Sequence, residues 1–201
     1  MHVEKYDLYI PTDIANKTVL DYGCGNGNLT TTIDPKFYTG FEVDAQAYAH
    51  CCKCYPQYNF VHQNLYNCVY NATGEKKLPT LNKQYDIIFA YSVFTHTSYE
   101  YFLACMKVFQ RHASEIYVSM ITTDNTVLLD YLYQKRTKKY GSCDLLDDIT
   151  DNCVYLADNK LVANAVECKD FVAIYHKDFL QQHGLDIING GPWGNVSKFI
   201  E

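Results

Sequence analysis

Three glycines at alternate positions directly after an apolar run constrain the fold of this chain more than any other feature. The sequence reads Val19-Leu20-Asp21-Tyr22-Gly23-Cys24-Gly25-Asn26-Gly27, which predicts a buried parallel strand that ends at a carboxylate and passes into a tight turn. Gly23 and Gly25 permit the turn and bring bare backbone close to a ligand, while Gly27 lets the next helix approach the sheet. The pattern therefore predicts a ligand site at the carboxyl end of the first strand.

Apolar runs and turn residues alternate along the rest of the chain in strand-helix-strand order. This order predicts an α/β sandwich, in which helices cover both faces of a mostly parallel sheet. Strands are predicted at Thr18 to Tyr22, Tyr38 to Val43, Asn59 to His62, Tyr85 to Tyr91, Glu115 to Ile121, Leu185 to Ile188 and Val196 to Ile200. Helices are predicted at Gly27 to Thr32, Ala45 to Cys54, Tyr99 to Arg111, Thr126 to Lys135 and His176 to His183.

The connections after the fifth strand are unusual in length. The last two predicted strands are joined by residues 189–194, too short for a helical crossover, so they should pair antiparallel. Before them, about fifty residues show no sheet-forming rhythm, and a segment of that length is usually functional or disordered. It contains the basic run Lys135 to Lys139, followed by Asp144, Asp147, Asp148 and Asp151. These charges indicate a solvated surface in preference to a phosphate-binding patch.

Length and composition favour a single globular domain, predicted over residues 1–201. The apolar share of 48% and the charged share of 20% are globular values, and no stretch of about 18 apolar residues predicts a membrane span. No secretory signal is predicted, so the expected location is the cytoplasm. The net charge of -6 argues against a broad basic face for nucleic acid. The abundance of Tyr, Asn and Lys is typical of an AT-rich genome, such as a viral one.

Nine cysteines do not predict a disulfide scaffold, because their number is odd, the chain is not small and secretion is not indicated. Reduced thiols are expected instead. The cluster Cys51-Cys52-Lys53-Cys54 is not followed by a second ligand pair, whereas a zinc site normally needs four ligands in paired spacings. No metal site is therefore predicted.

The spacing of the glycines distinguishes between two kinds of cofactor. A nicotinamide site would need Gly-x-Gly-x-x-Gly/Ala, but the third position is Asn28 when counted from Gly23 and Thr30 when counted from Gly25. The carboxylate of Asp21 would repel a diphosphate and suits the amino group of a zwitterionic cofactor such as S-adenosylmethionine (SAM). The turn therefore favours SAM over a dinucleotide.

Four successive segments resemble the cofactor-binding elements of class I SAM-dependent methyltransferases. The glycine turn is the first. The second, Tyr38-Thr39-Gly40-Phe41-Glu42-Val43-Asp44, resembles the family's second strand, whose terminal acid holds the ribose hydroxyls. Glu42 is the favoured acid, since a carboxylate can accept two hydroxyl hydrogen bonds. Asp44 is the alternative, or else it caps the helix that begins at Ala45.

The third and fourth segments complete the resemblance. In Asn59-Phe60-Val61-His62-Gln63-Asn64-Leu65, the Asn64 carbonyl would accept from the adenine amino group, and the Leu65 amide would donate to a ring nitrogen. Many members of the family have Asp in place of Asn64. The fourth segment, Tyr85 to His96, ends in Ser-Val-Phe-Thr-His and places Tyr91 at the cofactor pocket. The resemblance thus implies that the SAM-binding residues are Asp21, Tyr22, Gly23, Gly25, Gly27, Glu42, Val43, Asn64, Leu65 and Tyr91.

The resemblance also implies a fold and a reaction. The fold is a Rossmann-like three-layer sandwich with seven strands in the order 3-2-1-4-5-7-6, and the segment at about 122–170 shapes the acceptor site or closes over it. The reaction is in-line displacement of the sulfonium methyl, which needs a base only if the acceptor carries a proton. His96 is the candidate base or acceptor-positioning group, because histidine exchanges protons near neutral pH. The alternative is that His96 packs locally or caps the helix near Tyr99.

The methyl acceptor has no signature of its own. The turn Asn/Asp-Pro-Pro-Tyr/Phe of DNA amino-methyltransferases is missing after the fourth strand, and no Pro-Cys pair supplies the nucleophile of cytosine-carbon methylation. A small-molecule acceptor methylated at N or O is therefore favoured. The alternatives are RNA or protein, bound through Lys135 to Lys139, and a catalytically silent cofactor-binding partner subunit. Trp193 is interpreted as a packing residue.

Overall fold

The computed structural model describes residues 9–123, 153–157, 160–162, 172–191 and 194–199. The strands are β1(Val19–Tyr22), β2(Tyr38–Glu42), β3(Asn59–His62), β4(Tyr85–Ala90), β5(Ala113–Thr123), β6(Cys153–Ala157), β7(Lys160–Val162), β8(Val172–His176), β9(Leu185–Gly191) and β10(Gly194–Phe199). The α-helices are α1(Ala45–Cys54), α2(Tyr99–Gln110) and α3(Lys177–Gln182), and 3-10 turns form at Thr30–Thr32 and Phe94–His96.

The sheet has the predicted order along most of its width. Strands β3, β2, β1, β4 and β5 follow one another with parallel pairing throughout. Strand β10 pairs antiparallel with β5 and with β9, as expected for strands joined by a short connection. Because β9 and β10 are the predicted sixth and seventh strands, the order 3-2-1-4-5-7-6 is confirmed, and so is the Rossmann-like fold class.

Three strands add to the predicted seven. Within the segment predicted to have no sheet-forming rhythm, β6 pairs antiparallel with β7 and with β8, and β8 pairs parallel with the last residues of β5. The prediction for this segment is therefore wrong where these strands form. Long β5 makes this possible, because β10 pairs with it up to Met120 and β8 pairs with it from Ile121 onward.

The central strands are buried on both faces, as expected of a parallel sheet between helical layers. Successive side chains of a strand point to opposite faces, so Leu20 and Ile88 belong to one apolar cluster while Val19 and Ile87 belong to the other. All four of these side chains are at most 1% exposed. The carboxyl ends of β1, β2 and β4 are thereby held rigidly at one edge of the sheet.

Two helices begin at side-chain caps that the sequence provides. The Asp44 carboxylate accepts from the backbone amides of Gln46 at 2.8 Å and Ala47 at 3.4 Å, which confirms that it caps α1. Ser98 caps α2 through the amide of Tyr101, and α2 buries Phe102, Cys105, Met106, Val108 and Phe109. Among the helices of the described ranges, none is long and apolar enough to cross a membrane.

The helix predicted at Gly27 to Thr32 is wrong in type and extent. Only Thr30–Thr32 forms a short 3-10 turn. The predicted helix cannot begin at Gly27, whose φ of 86° is left-handed, and the three β-branched threonines are poor formers of a longer helix. The predictions for α1 and α2 are confirmed, and that for α3 is confirmed to within a residue at each end. The helix predicted at Thr126 to Lys135, the charged residues 135–151 and Trp193 lie outside the described residues.

Candidate functional site

A cleft of about 580 Å³ opens at the carboxyl ends of the central strands. This volume falls within the range of roughly 300–1,000 Å³ that is typical of small-molecule sites. Four chain segments form its walls, namely the glycine turn, the end of β2 with the start of α1, the loop after β3, and the connection from β4 into α2. The lining residues are 22–26 and 28, 41–44, 46 and 47, 66, 67 and 70, 91–93, 97 and 101.

The glycine turn has the backbone geometry that its sequence predicts. Gly23, Gly25 and Gly27 have φ angles of 76°, 53° and 86°, in the left-handed region that side chains with a Cβ rarely adopt. A Cβ on Gly23 would lie 2.5 Å from Cγ2 of Val93, whereas one on Gly25 would meet nothing within 4 Å. Gly23 and Gly25 line the cleft, while Gly27 faces the ring of Tyr55 behind it.

Glu42 lies at the end of β2 and joins it to the glycine turn. Its Oε2 accepts from the Gly25 amide at 2.7 Å. Its Oε1 accepts from the amides of Val43 at 2.7 Å and Asp44 at 2.9 Å. A carboxylate offers about four acceptor positions, so these three bonds leave about one for a ligand. Glu42 therefore lines the cleft as expected, but it is mainly a support for the turn.

Asp21 lies beneath the turn and is only 4% exposed. The Tyr38 hydroxyl donates to its Oδ2 at 2.7 Å and accepts in turn from Thr30 at 3.1 Å. Burial, and to a smaller extent the charge of Glu42, raise the pKa of Asp21 to about 7 against the lowering effect of the Tyr38 hydrogen bond. Asp21 is not among the residues that line the cleft, so any effect on a ligand reaches it through the turn.

Asp21→Asn should remove a pH dependence of folding stability. Because the folded state holds the Asp21 proton up to about pH 7 and the unfolded chain releases it near pH 4, the free energy of unfolding falls as pH rises between these values. From pH 5 to pH 8 the loss should be on the order of 2–3 kcal/mol. Asparagine still accepts from Tyr38 and does not ionise, so urea unfolding of the variant should show a correspondingly flatter profile. Parallel profiles for the two proteins would contradict this account.

The chain turns sharply where β4 ends at the cleft. Ser92 has a φ of 58°, a rare conformation for a residue with a side chain, and its amide donates to Ser119 Oγ at 2.7 Å. Tyr91 lines the cleft, and its hydroxyl donates to the Tyr9 carbonyl at 2.6 Å. Strained backbone of this kind is concentrated at functional sites, and here it exposes Ser92 and half-buried Val93 to the cleft.

The loop after β3 contributes three lining residues that the sequence analysis missed, namely Tyr66, Asn67 and Tyr70. Oδ1 of Asn67 accepts from the amides of residues 69 and 70, and its Nδ2 donates to the His96 carbonyl at 3.3 Å. Asn71 closes the loop by donating to Asn64 and to the carbonyl of residue 65. Asparagines that bond to the backbone two residues on are typical of turns, so Asn67 carried a signal for an ordered loop.

Asn64 and Leu65, the predicted adenine contacts, lie outside the cleft wall. Asn64 is exposed and holds Asn71 at 2.9 Å. The Leu65 side chain is 1% exposed in the core, and its amide donates to the Gln63 carbonyl at 2.7 Å.

His96 ends the 3-10 turn between β4 and α2 and is half-buried. Its ring packs edge-on against Tyr70, with centroids 5.4 Å apart. Tyr70 lines the cleft and His96 does not, so the imidazole stands directly behind the wall. The turn itself is held by β8, because the Tyr175 hydroxyl donates to the Phe94 carbonyl at 3.1 Å.

The cysteines near the cleft are thiols without a metal cluster around them. Cys51 is fully buried, and its Sγ donates to the Gly25 carbonyl at 3.1 Å, while Cys52 and Cys54 are exposed. Within the parts of the chain that the structure describes, no group of three His, Cys, Asp or Glu side chains could hold a metal ion. Cys51 therefore supports the glycine turn.

Solved structures of methyltransferases resemble this fold. A SAM-dependent methyltransferase from Methanosarcina mazei has a TM-score of 0.58 at 14% identity, over 96% of this chain and 99% of that one. The magnesium protoporphyrin IX methyltransferase of Synechocystis PCC 6803, with bound S-adenosylhomocysteine (SAH), has a TM-score of 0.54 at 14% identity, over 92% of this chain and 74% of that one. The glycopeptide N-methyltransferase MtfA has a TM-score of 0.52 at 11% identity, over 92% and 84%. At these identities the likeness concerns the fold alone.

A sequence comparison shows the family. A comparison with curated proteins gave no match, but the family model described as a methyltransferase domain matches residues 4–147. The matched range is most of the chain, and it includes the glycine turn and every residue that lines the cleft. The chain therefore belongs to the methyltransferase domain family.

Proposed function

We propose that this protein is a SAM-dependent methyltransferase that acts on a small molecule at a nitrogen or oxygen atom. The observation that carries the proposal is the cleft at the glycine turn, open beside Gly25 and bounded by Glu42, in a chain of the methyltransferase domain family. The acceptors named for the similar structures are diverse, a porphyrin in one and a glycopeptide in another. The acceptor class therefore rests on the cleft itself.

The lining residues fit SAM in charge and in shape. The molecule carries two positive groups and one carboxylate, and the charged side chains among the described lining residues are Glu42 and Asp44. We propose that Gly23 and Gly25 face the methionine part, that Tyr22, Val43 and Tyr91 form the walls, and that Glu42 takes one ribose hydroxyl. Gly27 and Asp21 support the turn from behind. The roles of the lining residues follow from their positions in the wall and from their remaining hydrogen-bonding capacity.

The adenine end is assigned differently from the sequence prediction. Asn64 and Leu65 have less support as direct contacts, because the Leu65 amide is already bonded and the Asn64 side chain holds Asn71. We propose that Tyr66 and Asn67, which line the cleft two positions further along, flank the adenine. In this arrangement Asn64 acts by holding the loop in place.

The chain's own contribution to catalysis is mainly positional. When bound, SAM supplies a methyl group that is already activated, so holding the acceptor in line with it can contribute several kcal/mol. A nitrogen acceptor that is unprotonated needs no base. For a hydroxyl acceptor we propose His96 as the group that receives the proton through an intervening water, since its ring lies behind Tyr70 and does not itself line the cleft.

His96→Gln tests that role. With a hydroxyl acceptor, turnover should fall by about 10²–10⁴-fold because proton transfer is lost, while SAM affinity measured by calorimetry should change by less than about twofold, a change worth only a few tenths of a kcal/mol. Tyr70→Phe keeps the ring that packs on His96 and is the matched control for disturbance of the wall. Turnover within twofold of the parent in His96→Gln would leave His96 with a packing role.

Calorimetry with SAM, with its demethylated product S-adenosylhomocysteine and with NAD tests the proposed function itself. We expect saturable binding of the first two and none of NAD, because the turn lacks the dinucleotide spacing and Glu42 and Asp44 disfavour a diphosphate. Transfer of a labelled methyl group to a panel of small amines and alcohols then tests turnover. Binding of NAD without binding of SAM would refute the proposal.

A further inference from the structure

One hydroxyl group in the cleft wall has no partner. Thr97 lies between the 3-10 turn at Phe94–His96 and the cap of α2. Among the buried side-chain nitrogen and oxygen atoms of the described residues, its Oγ1 is the one that makes no hydrogen bond. A buried polar group without a partner is unfavourable, because it has lost its hydration without gaining a hydrogen bond. Thr97 lines the cleft through its other atoms, so a rotation of the side chain about χ1 would turn the hydroxyl toward a ligand that supplies the missing partner.

A second hydroxyl lies in the first turn of α2. Tyr101 is the third residue of that helix, and it also lines the cleft. Its hydroxyl makes a long contact of 3.5 Å with that of Tyr22 and also interacts with the Cys105 thiol. Burial raises the pKa of Tyr101, so the group stays protonated at neutral pH and can donate. Thr97 and Tyr101 together form what we call the hydroxyl pair.

Charge restricts what the hydroxyl pair can hold. The lining residues of the described chain include two carboxylates, Glu42 and Asp44, and no lysine, arginine or histidine. An anionic group that enters the cleft would lose its hydration without gaining a cationic side chain as partner among these residues, which is unfavourable. Aromatic faces in the wall, including Tyr66 and Tyr70, attract cations instead. The Lys76 ammonium group, which is not among the lining residues, lies 4.6 Å from the ring centroid of Tyr66 and is an example of this attraction.

We propose that the hydroxyl pair binds a hydroxyl or amino group of the methyl acceptor. The end of the cleft at Thr97 and Tyr101 then takes neutral or cationic acceptors and rejects acceptors with carboxylate or phosphate groups. This inference rests on the proposed function, because it assigns the acceptor side of the same cleft. It makes the hydroxyl pair a determinant of acceptor specificity.

Thr97→Val tests the proposal, because it should weaken binding of the acceptor without lowering the stability of the free protein. Valine keeps the shape of threonine and removes the hydroxyl without a partner, so the melting temperature of the free protein should stay the same or rise. Binding of an acceptor probe should weaken by about tenfold, as expected when one neutral hydrogen bond is lost. Thr97→Ser keeps a hydroxyl and should retain most of the probe affinity. A lower melting temperature for Thr97→Val together with unchanged probe affinity would overturn the proposal.

Three matched probes test the charge preference on the full chain saturated with S-adenosylhomocysteine. They are 2-(4-hydroxyphenyl)ethanol, tyramine and 4-hydroxyphenylacetate, which share a phenol ring and differ in a neutral, cationic or anionic end. We expect the first two to bind at least about tenfold more tightly than the third, by calorimetry. Equal or tighter binding of the anion, or no binding of any probe to the saturated protein, would overturn the acceptor assignment alone. Failure to bind S-adenosylhomocysteine would overturn the proposed function as well.

Discussion

Gly25→Ala should lower the affinity for SAM by at least about 100-fold while the protein stays folded. Gly25 has a φ of 53°, and an added Cβ would meet nothing within 4 Å because it would stand in the open space beside the cleft. The methyl group therefore takes space from the ligand and clashes with no neighbour. Its backbone strain alone costs roughly 1–2 kcal/mol of stability. Calorimetry with S-adenosylhomocysteine and urea unfolding measure the two effects separately.

Two other glycines are the controls for this substitution. Gly184 follows α3, away from the lining residues, and has a φ of 76°, so Gly184→Ala should cost similar stability and leave SAM affinity unchanged. Gly23→Ala should behave differently, because its Cβ would lie 2.5 Å from Val93 and would destabilise the fold itself. If Gly25→Ala binds SAM as tightly as Gly184→Ala does, the cofactor does not approach the turn at Gly25.

The central part of the fold could be predicted because its signals are local. Strands buried on both faces appear in the sequence as apolar runs such as those around Leu20 and Ile88. The glycines of the turn indicate where the backbone adopts positive φ angles. The acidic end of β2 was also predictable, and Glu42 lines the cleft as expected. The three amides that Glu42 accepts were not predictable, since they depend on the register that brings the end of β2 beside the turn.

The rest depends on contacts between segments that are distant in sequence. Strand β8 is short, and it forms because the last part of β5 extends past β10 and leaves an edge for it to pair with. The Phe94 carbonyl finds its partner in Tyr175, 81 residues away. That Thr97 has no partner is likewise visible only when all its neighbours are in place. Local pattern carries no information on these pairings.

Glu42→Ala should produce the second large effect, on stability and on cofactor binding together. It removes the acceptor of three amides, at Gly25, Val43 and Asp44, from a side chain that is 6% exposed. Because water in the cleft can reach part of the vacated space, we expect a loss of about 2–4 kcal/mol in the free energy of unfolding. SAM affinity should fall by at least tenfold, about 1.4 kcal/mol, since the proposed ribose contact and the position of the turn are lost together.

Glu42→Gln tests the contact of Glu42 with Gly25 separately from its contacts with Val43 and Asp44. An amide oxygen in place of Oε1 still accepts from Val43 and Asp44. The amide nitrogen in place of Oε2 cannot accept from Gly25, so its N–H groups face the N–H group of Gly25. This variant should therefore retain about half of the stability that Glu42→Ala loses and yet bind SAM almost as poorly. Glu75→Gln, which alters an exposed ion pair with Lys77, should change neither quantity measurably. Normal affinity in Glu42→Gln would mean that the turn holds its shape without Glu42, and that the ribose contact alone explains any loss in Glu42→Ala.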